Sequence, residues 1–411
     1  MTEWREVMLG DVITLQRGFD LTQKQATPGP YQVISSSGPG FTTTVAKVEG
    51  PGVVTGRKGL LGKVHFSAGA YWPHDTTLWV KDFKGSEPRF VYYLLQTLPL
   101  ASLDAGASNP TLNRNHAHLL PVCVPSPSMQ AQIARVLGAI DDLIDNNRRR
   151  VEVLEEMARA IYREWFVHFR YPGHEDATFV DSPLGPIPEG WEIRPLGQVA
   201  SLDRTSIQPS RSPEETFDHY SIPAFDGGQL PMADDGSMIK SGKFLVSDPA
   251  VMVSKLNPRI ERTWLVEPES GRRSVASTEF LVLGPTTRLP LEWLYLLARS
   301  DIFQDRLREL SGGTSTSHQR AKPHDFLAID VVAPAEELAA DFGSAVEPQL
   351  RLARVLRTEN RRLASIRDLL LPKLVTGQID VSLLDLGALA DQALGPAQES
   401  MCRSGTGWRP I

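Results

Sequence analysis

The sequence predicts an α+β protein: two tandem mixed α/β domains, separated by two long helices that form an antiparallel intramolecular coiled coil. Three observations lead there. A tryptophan-led segment occurs twice at one spacing, Trp4 before Leu9-Gly10-Asp11-Val12 and Trp191 before Leu196-Gly197-Gln198-Val199. Gly106-Ala107-Ser108 ahead of the strand-like run 119–125 returns, in the same order, as Gly313-Thr314-Ser315 ahead of the run 326–334. A long stretch with helical periodicity follows each run.

Taken in order, residues 1–127 form the first mixed domain. Its strand signals are the β-rich runs 52–55, 63–66 and 77–80, and 89–98 reads as a helix. Helix 128–170 carries a heptad seam through Leu137, Ile140, Ile144, Asn147, Val151, Leu154, Ala158, Ile161 and Trp165. Residues 171–190 are a connector punctuated by Pro172, Gly173, Pro183, Pro186, Pro188 and Gly190. The second mixed domain, 191–334, has strand runs 251–253 and 280–283 and a helix over 291–310. In helix 335–376 the same stepping selects Ala345, Gln349, Leu352, Leu356, Glu359, Leu363, Ile366 and Leu370. Neither stripe can be hidden by its own helix, so the two are expected to pack on each other; packing of each on its own domain is the alternative. Trp165, Phe166 and Phe169 are too many large aromatics for a free helix end and require a cover. The tail 377–411 offers only a short helix around Leu383, Leu386 and Leu389, then a loose end from Ser404.

Composition narrows the function classes. The chain has 411 residues, 41% of them hydrophobic and 22% charged, which is enough apolar material for several packed cores and too much for a disordered protein. Its 2 cysteines, Cys123 and Cys402, cannot build a disulfide framework or a cysteine zinc site and fit a reducing cytoplasm. Neither a signal peptide nor an apolar run long enough to span a bilayer is visible, so a cytosolic protein is expected. A net charge of −6 argues against coating nucleic acid by bulk electrostatics, so DNA contact needs local basic surfaces. Arg57, Lys58 and Lys63 supply one; Lys255, Arg259, Arg262, Arg272, Arg273 and Arg320 supply another.

These features resemble the specificity subunit of type I restriction-modification systems, over nearly the whole chain to about residue 380. The first half contributes Trp4 with Leu9-Gly10-Asp11-Val12, Arg17-Gly18, Gly56-Arg57-Lys58-Gly59 with Gly62, and Gln132-Ile133 followed by Leu137, Ile140-Asp141 and Ile144. The second contributes Ser254 through Ile260, Ser277-Thr278-Glu279-Phe280, Ser317-His318-Gln319-Arg320, and Arg367 through Leu374 ending at Gly377. The resemblance implies two target-recognition domains, at 1–127 and 191–334, with antiparallel helices as a spacer. It implies a non-catalytic protein that reads an asymmetric bipartite site on double-stranded DNA. It further implies docking of two methyltransferase subunits and two ATP-driven restriction subunits, which would bind S-adenosylmethionine, ATP and magnesium; this chain would hold no cofactor and no metal.

Duplex DNA is read through base edges, while phosphate contacts set register. The candidates for contact are Arg57, Lys58 and Lys63, presented on a glycine turn, and Lys255, Asn257, Arg259, His318, Gln319 and Arg320 in the second domain. The packing candidates are Ile140, Ile144, Leu154, Ile161, Trp165, Leu356, Leu363 and Leu370. A helix of roughly 40 residues rises about 60 Å, enough to act as a ruler between two half-sites.

Other chemistries find little support. Gly56 to Lys63 is one residue too long for a phosphate loop, and Val64 stands where a magnesium-binding hydroxyl belongs. Asn109-Pro110-Thr111-Leu112 and Asn257-Pro258-Arg259-Ile260 lack the second proline and the aromatic of a methyltransferase motif. His116 and His118 are expected to be polar surface or DNA-facing groups, and Asp141, Asp142 and Asp145 to be helix-surface carboxylates. A metal-dependent nuclease and a pure coiled-coil scaffold are the remaining alternatives.

Overall fold

Val53 and Val54 are adjacent and both buried, yet each belongs to a different hydrophobic cluster, and this sets the layering of the N-terminal half. The structure is a computed structural model describing residues 4–104, 110–269, 271–310 and 320–381. Its contacts divide the chain into two units, Met1–Asp145 with Arg361–Ile411, and Asn146–Asn360. No helix among the described residues is long and apolar enough to cross a membrane.

Along the first unit run β1 (Arg5–Met8), α1 (Leu9–Val12), β2 (Thr14–Arg17), β3 (Tyr31–Ser35), β4 (Gly38–Thr43), β5 (Gly52–Gly56), β6 (Val64–Ser67), β7 (Tyr71–Pro73), β8 (Thr77–Asp82), α2 (Pro88–Thr97), α3 (Arg114–His118), β9 (Pro121–Val124) and the start of α4 (Pro127–Tyr162). An antiparallel sheet has the order β2-β8-β5-β6. A smaller sheet has the order β4-β3-β7, with β3 and β7 parallel, and β1 pairs with β9. Side chains alternate across a strand, so Val53 faces Phe90, Val91 and Leu94 of α2 while Val54 faces Ile34 and Tyr71 of the smaller sheet. A strand covered on both faces reads as an unbroken apolar run, which is why 52–55 shows no alternation. The α2 helix starts where Pro88 pre-sets the backbone and the Glu87 carboxylate accepts from the Phe90 amide.

The second unit repeats this plan. It contains the rest of α4, a π-helical turn at Arg163–Val167, β10 (Phe179–Val180), β11 (Ile187–Pro188), β12 (Glu192–Pro195), α5 (Leu196–Val199), β13 (Ala200–Asp203), β14 (Ser206–Ile207), β15 (Thr216–Tyr220), α6 (Ile222–Asp226), β16 (Met232–Asp235), β17 (Lys243–Val246), β18 (Ala250–Ser254), β19 (Thr263–Val266), β20 (Ser274–Ala276), β21 (Phe280–Pro285), α7 (Leu291–Ala298), α8 (Asp301–Glu309), α9 (Pro323–Leu327), β22 (Asp330–Ala333) and most of α10 (Glu336–Val375). Its antiparallel sheet β13-β21-β18-β19 matches β2-β8-β5-β6 strand for strand, and β12 pairs with β22 as β1 does with β9. The companion sheet β14-β17-β20-β15-β16 keeps the parallel pair, β15 with β20, and adds two strands at one edge. Val251 and Val253 face the helix cluster around Trp293, whereas Met252 faces Tyr220 and Trp264.

The long helices pair in antiparallel fashion. In the second unit Val151 and Leu154 pack on Ala353 and Leu356, and Tyr162 at the end of α4 and Phe166 in the π turn meet Phe342. In the first unit Ile133 and Leu137 share a core with Leu371 and Leu374. Phe342 and Trp191 cover Phe166, and Trp191 with Phe179 covers Phe169, so the aromatic helix end is closed by α10, the connector and the first residue of the second domain.

Four expectations need correction. The α10 stripe runs through Ala339, Phe342, Val346, Leu350 and Ala353 before Leu356, and Leu352 is exposed. Apolar residues at both 345 and 346, and at both 352 and 353, allow two stripes, and the one continuous with the Phe342 anchor is buried. The 291–310 helix is two helices, because the Ser300 hydroxyl accepts from the Phe303 amide and starts a new one. Residues 323–327, which include Phe326, are helical, so the expected 326–334 strand is only Asp330–Ala333. The α-helix of α4 stops at Tyr162, and the wider π turn leads to Phe169 at φ +56°. The expected tail helix and loose end lie outside the described residues.

Candidate nucleic-acid interface

The turn between β5 and β6 is held by glycines at positions where a side chain would clash or strain the backbone. A Cβ on Gly56 would lie 1.8 Å from the Leu60 carbonyl oxygen, and Gly59 and Gly62 have φ of +75° and +72°. The Arg57 and Lys58 amides donate to the Thr76 carbonyl at 2.8 and 3.0 Å, and the Leu112 amide donates to the Arg57 carbonyl at 2.8 Å. The backbone is thus pinned on both sides. Nη1 of the half-buried Arg57 side chain is buried with no hydrogen-bond partner. Lys58 is exposed, its ammonium 3.8 Å from Asp75, which also takes Arg17 at 3.0 Å. Lys63 is exposed, with Nζ 3.5 Å from the Ser37 carbonyl. The loop joins two antiparallel strands and is not the strand-to-helix turn that a phosphate loop requires.

The corresponding turn between β18 and β19 is anchored in the same way. The Lys255 amide donates to the Glu279 carbonyl at 2.9 Å, and the Ala321 amide donates to the Lys255 carbonyl at 3.1 Å. Thr76 and Glu279 each immediately precede the equivalent strands β8 and β21. Asn257 adopts φ +53°, a conformation its short side chain tolerates, and the Ile260 amide closes the turn on the Asn257 carbonyl at 3.0 Å. Arg259 and Ile260 are exposed at its tip. Arg320 lies alongside in a bridge with Leu256, its guanidinium paired with both Glu279 oxygens at 3.0 Å. His318 and Gln319 lie outside the described residues.

Several expected basic residues are thus already engaged. Arg262 holds Asp226 at 2.7 and 2.9 Å, Arg272 holds Asp218 at 3.0 Å, and Arg273 holds Glu215. His118 is no DNA-facing group: its Nε2 accepts the Leu15 amide at 2.9 Å, and burial, with Arg114 and Lys84 nearby, pushes its pKa down. Asp141 accepts from Tyr93 at 2.6 Å and from Arg367 at 2.9 Å, and Asp142 takes Arg89, so these carboxylates serve packing.

Sequence reasoning missed an open cavity of about 640 Å³ in the first unit, lined by Arg17, Phe19, Lys47, Trp72 and Arg114 among others. Lys47 lies 5.1 Å from the Trp72 ring centroid and 5.8 Å from that of Phe19. Its cations are scattered from 17 to 114, so no local motif announces it. Beside it, Asp20, His74 and Asp75 come within 4.8 Å of one another, but Arg17 and Lys58 already neutralise Asp75 and oppose a divalent ion.

Seven of the packing candidates sit on the paired helices, and Trp165 sits on the π turn that follows α4. Ile144, Leu356 and Leu363 are buried; Ile140, Leu154, Ile161, Trp165 and Leu370 are partly buried. Between the helices of the second unit, Glu155 takes Arg299 at 3.2 Å and also Arg357.

Residues 1–156 match the family model for the type I restriction modification DNA specificity domain. The chain is 25% identical over 313 residues to the type I restriction enzyme MjaIX specificity subunit of Methanocaldococcus jannaschii, covering 72% of this chain and 70% of that one. It is 21% identical over 358 residues to the HindI specificity subunit of Haemophilus influenzae, covering 71% and 77%. The crystal structure of the type I restriction-modification S subunit from M. genitalium superposes with a TM-score of 0.60 at 15% identity, covering 91% of this chain and 96% of that one. Residues 1–156 therefore belong to the type I restriction modification DNA specificity domain family, and the chain has the fold of a type I specificity subunit.

Proposed function

We propose that this chain is the sequence-reading subunit of a type I restriction-modification complex and recognises an asymmetric bipartite target on double-stranded DNA. The observation that carries the reading is the duplicated, cation-bearing hairpin, anchored alike in each unit through Arg57 and Lys255. Two similar but unlike-sequence reading elements suit a target with two different halves. In this reading residues 1–127 and 191–334 are the target-recognition domains, and the helices 128–170 and 335–376 are the spacer.

The chain itself is non-catalytic in this reading. Methylation of adenine and ATP-dependent cleavage belong to two methyltransferase and two restriction subunits, which would hold S-adenosylmethionine, ATP and magnesium. Phage defence would be carried out by that assembly in the cytoplasm. Exposed apolar side chains on the paired helices, Val153 and Met157 on α4 and Val355 on α10, support helix-face docking of the methyltransferase subunits.

The test is modification mapping by long-read sequencing in cells carrying this chain with and without its methyltransferase. It is then repeated after residues 191–334 are replaced by the corresponding domain of a relative. A split motif that needs both proteins, and changes in one half only after the swap, is expected. Methylation that is independent of this chain would overturn the reading.

A further inference from the structure

The two pinned hairpins share one more feature. The first loop reads Arg57-Lys58-Gly59-Leu60-Leu61-Gly62-Lys63, the second Lys255-Leu256-Asn257-Pro258-Arg259-Ile260-Glu261-Arg262. They differ in length and in nearly every residue, yet each holds one large aliphatic side chain out in solvent among cations. Leu60 is 53% exposed and Ile260 is 47% exposed. One exposed aliphatic residue means nothing by itself. The recurrence on equivalent hairpins gives it weight, because neither tip can fold its apolar side chain away. The Leu61 amide is held on the Gly59 carbonyl at 3.1 Å, and the Ile260 amide on the Asn257 carbonyl at 3.0 Å.

A two-stranded β-ribbon fits the major groove, and the thymine C5-methyl is the apolar feature that standard base pairs present there. Flanking cations deliver such a tip to the groove by pairing with phosphates. We propose that Leu60 and Ile260 are specificity-determining residues, each pressing on a thymine methyl group in its own half of the target. The inference rests on the proposed function and adds to it the residues and the base feature that they read.

The experiment uses the full chain assembled with its methyltransferase subunits, and target duplexes in which each thymine is replaced singly by deoxyuridine. Loss of the contacted methyl is expected to weaken wild-type binding about four-fold, the equivalent of one buried carbon at ~0.8 kcal/mol. Leu60→Ala should bind the thymine and uracil duplexes of one half-site equally, and Ile260→Ala those of the other. Neither should change the salt dependence, whereas Lys58→Ala should lower its slope by about 0.9 if that ammonium meets a phosphate. Both tips lie in solvent, so neither alanine variant should shift the melting temperature. If both variants keep wild-type affinity and wild-type sensitivity to uracil, the tips do not read methyl groups and the inference falls while the proposed function stands. Absence of sequence-selective binding by the wild-type assembly would instead remove the proposed function and the inference with it.

Discussion

Arg57 and Lys255 occupy the same place in the two halves of the chain. Each amide donates to the carbonyl of the residue just before the neighbouring sheet strand, Thr76 or Glu279, and each carbonyl accepts from a buried residue of a later segment, Leu112 or Ala321. A residue pinned at both backbone groups keeps its side chain at a fixed exit point whatever the rest of the loop does. Both are cations, which is the requirement for holding a phosphate at a set register.

It follows that Arg57→Ala and Lys255→Ala should weaken DNA binding by the assembled complex in the same way, one at each half-site. Each should lower the slope of log affinity against log salt by about 0.9 and leave the recognised bases unchanged. Fluorescence anisotropy at a series of salt concentrations measures this. A changed motif with an unchanged slope would show that these side chains read bases.

Glu155 is the centre of the ionic network on the paired helices. Its carboxylate lies against Arg299 and Arg357, and the Arg299 side chain is only 7% exposed. Burial alone would raise its pKa, but Arg299 and then Arg357 outweigh that and hold it below the usual glutamate range. A folded-state value below the unfolded one contributes stability that is present above the unfolded pKa and is lost as pH falls through the folded value. Glu155→Gln leaves two arginines facing a neutral group and should cost about 3–5 kcal/mol. Chemical denaturation at neutral pH should show that loss, and the gap between variant and wild type should narrow in acid below about pH 4.5.

The end of α10 completes the first unit. Gly377 has φ +74°, and a Cβ there would lie 2.6 Å from the Trp4 ring. Leu374 and Val375 lie in the same cluster as Leu9 and Leu95. Gly377→Ala should therefore destabilise by roughly 1–3 kcal/mol through overpacking, on top of the strain of a left-handed alanine. The melting temperature should fall and Trp4 emission should shift to the red, whereas Gly173→Ala, at another positive φ with open space around it, should leave Trp4 unchanged.

Local patterns in the sequence carried much of this architecture, and contacts between distant residues did not. The repeat from Trp4 to Val12 at Trp191 to Val199 is a matter of spacing, so the duplicated β1-α1 and β12-α5 corners are readable from it. The glycines at 56, 59 and 62 announce a tight turn because each has a steric reason to be there. The equivalence of Arg57 and Lys255 was hidden, since it lies in backbone hydrogen bonds to residues 19 to 66 positions away and the loops share no motif. The stripe of α10 was misread where neighbouring apolar residues, such as Leu352 and Ala353, satisfy the periodicity in two registers. The charge pattern misled for a similar reason: Arg262 and Arg320 look free in sequence, but their carboxylates are 36 and 41 residues away.

Arg320 illustrates how such pairing sets affinity. Its Nε and Nη2 donate to the two oxygens of Glu279, at the foot of the second hairpin. The pair is open to solvent, so its contribution to folding is small and its removal should barely alter the melting temperature. Its influence on DNA should be larger, because the carboxylate neutralises the guanidinium, repels an approaching phosphate and occupies the Nε–Nη2 edge that a bidentate phosphate contact would use. Glu279→Gln removes the anion and leaves the backbone carbonyl that anchors Lys255 in place. The variant should bind non-specific DNA several-fold more tightly, with a salt slope about 0.9 steeper. The added Arg320→Ala substitution should return both quantities to their wild-type values or below. If Glu279→Gln tightens binding and Arg320→Ala does not reverse it, the gain comes from the lost negative charge alone and Arg320 does not meet the phosphate.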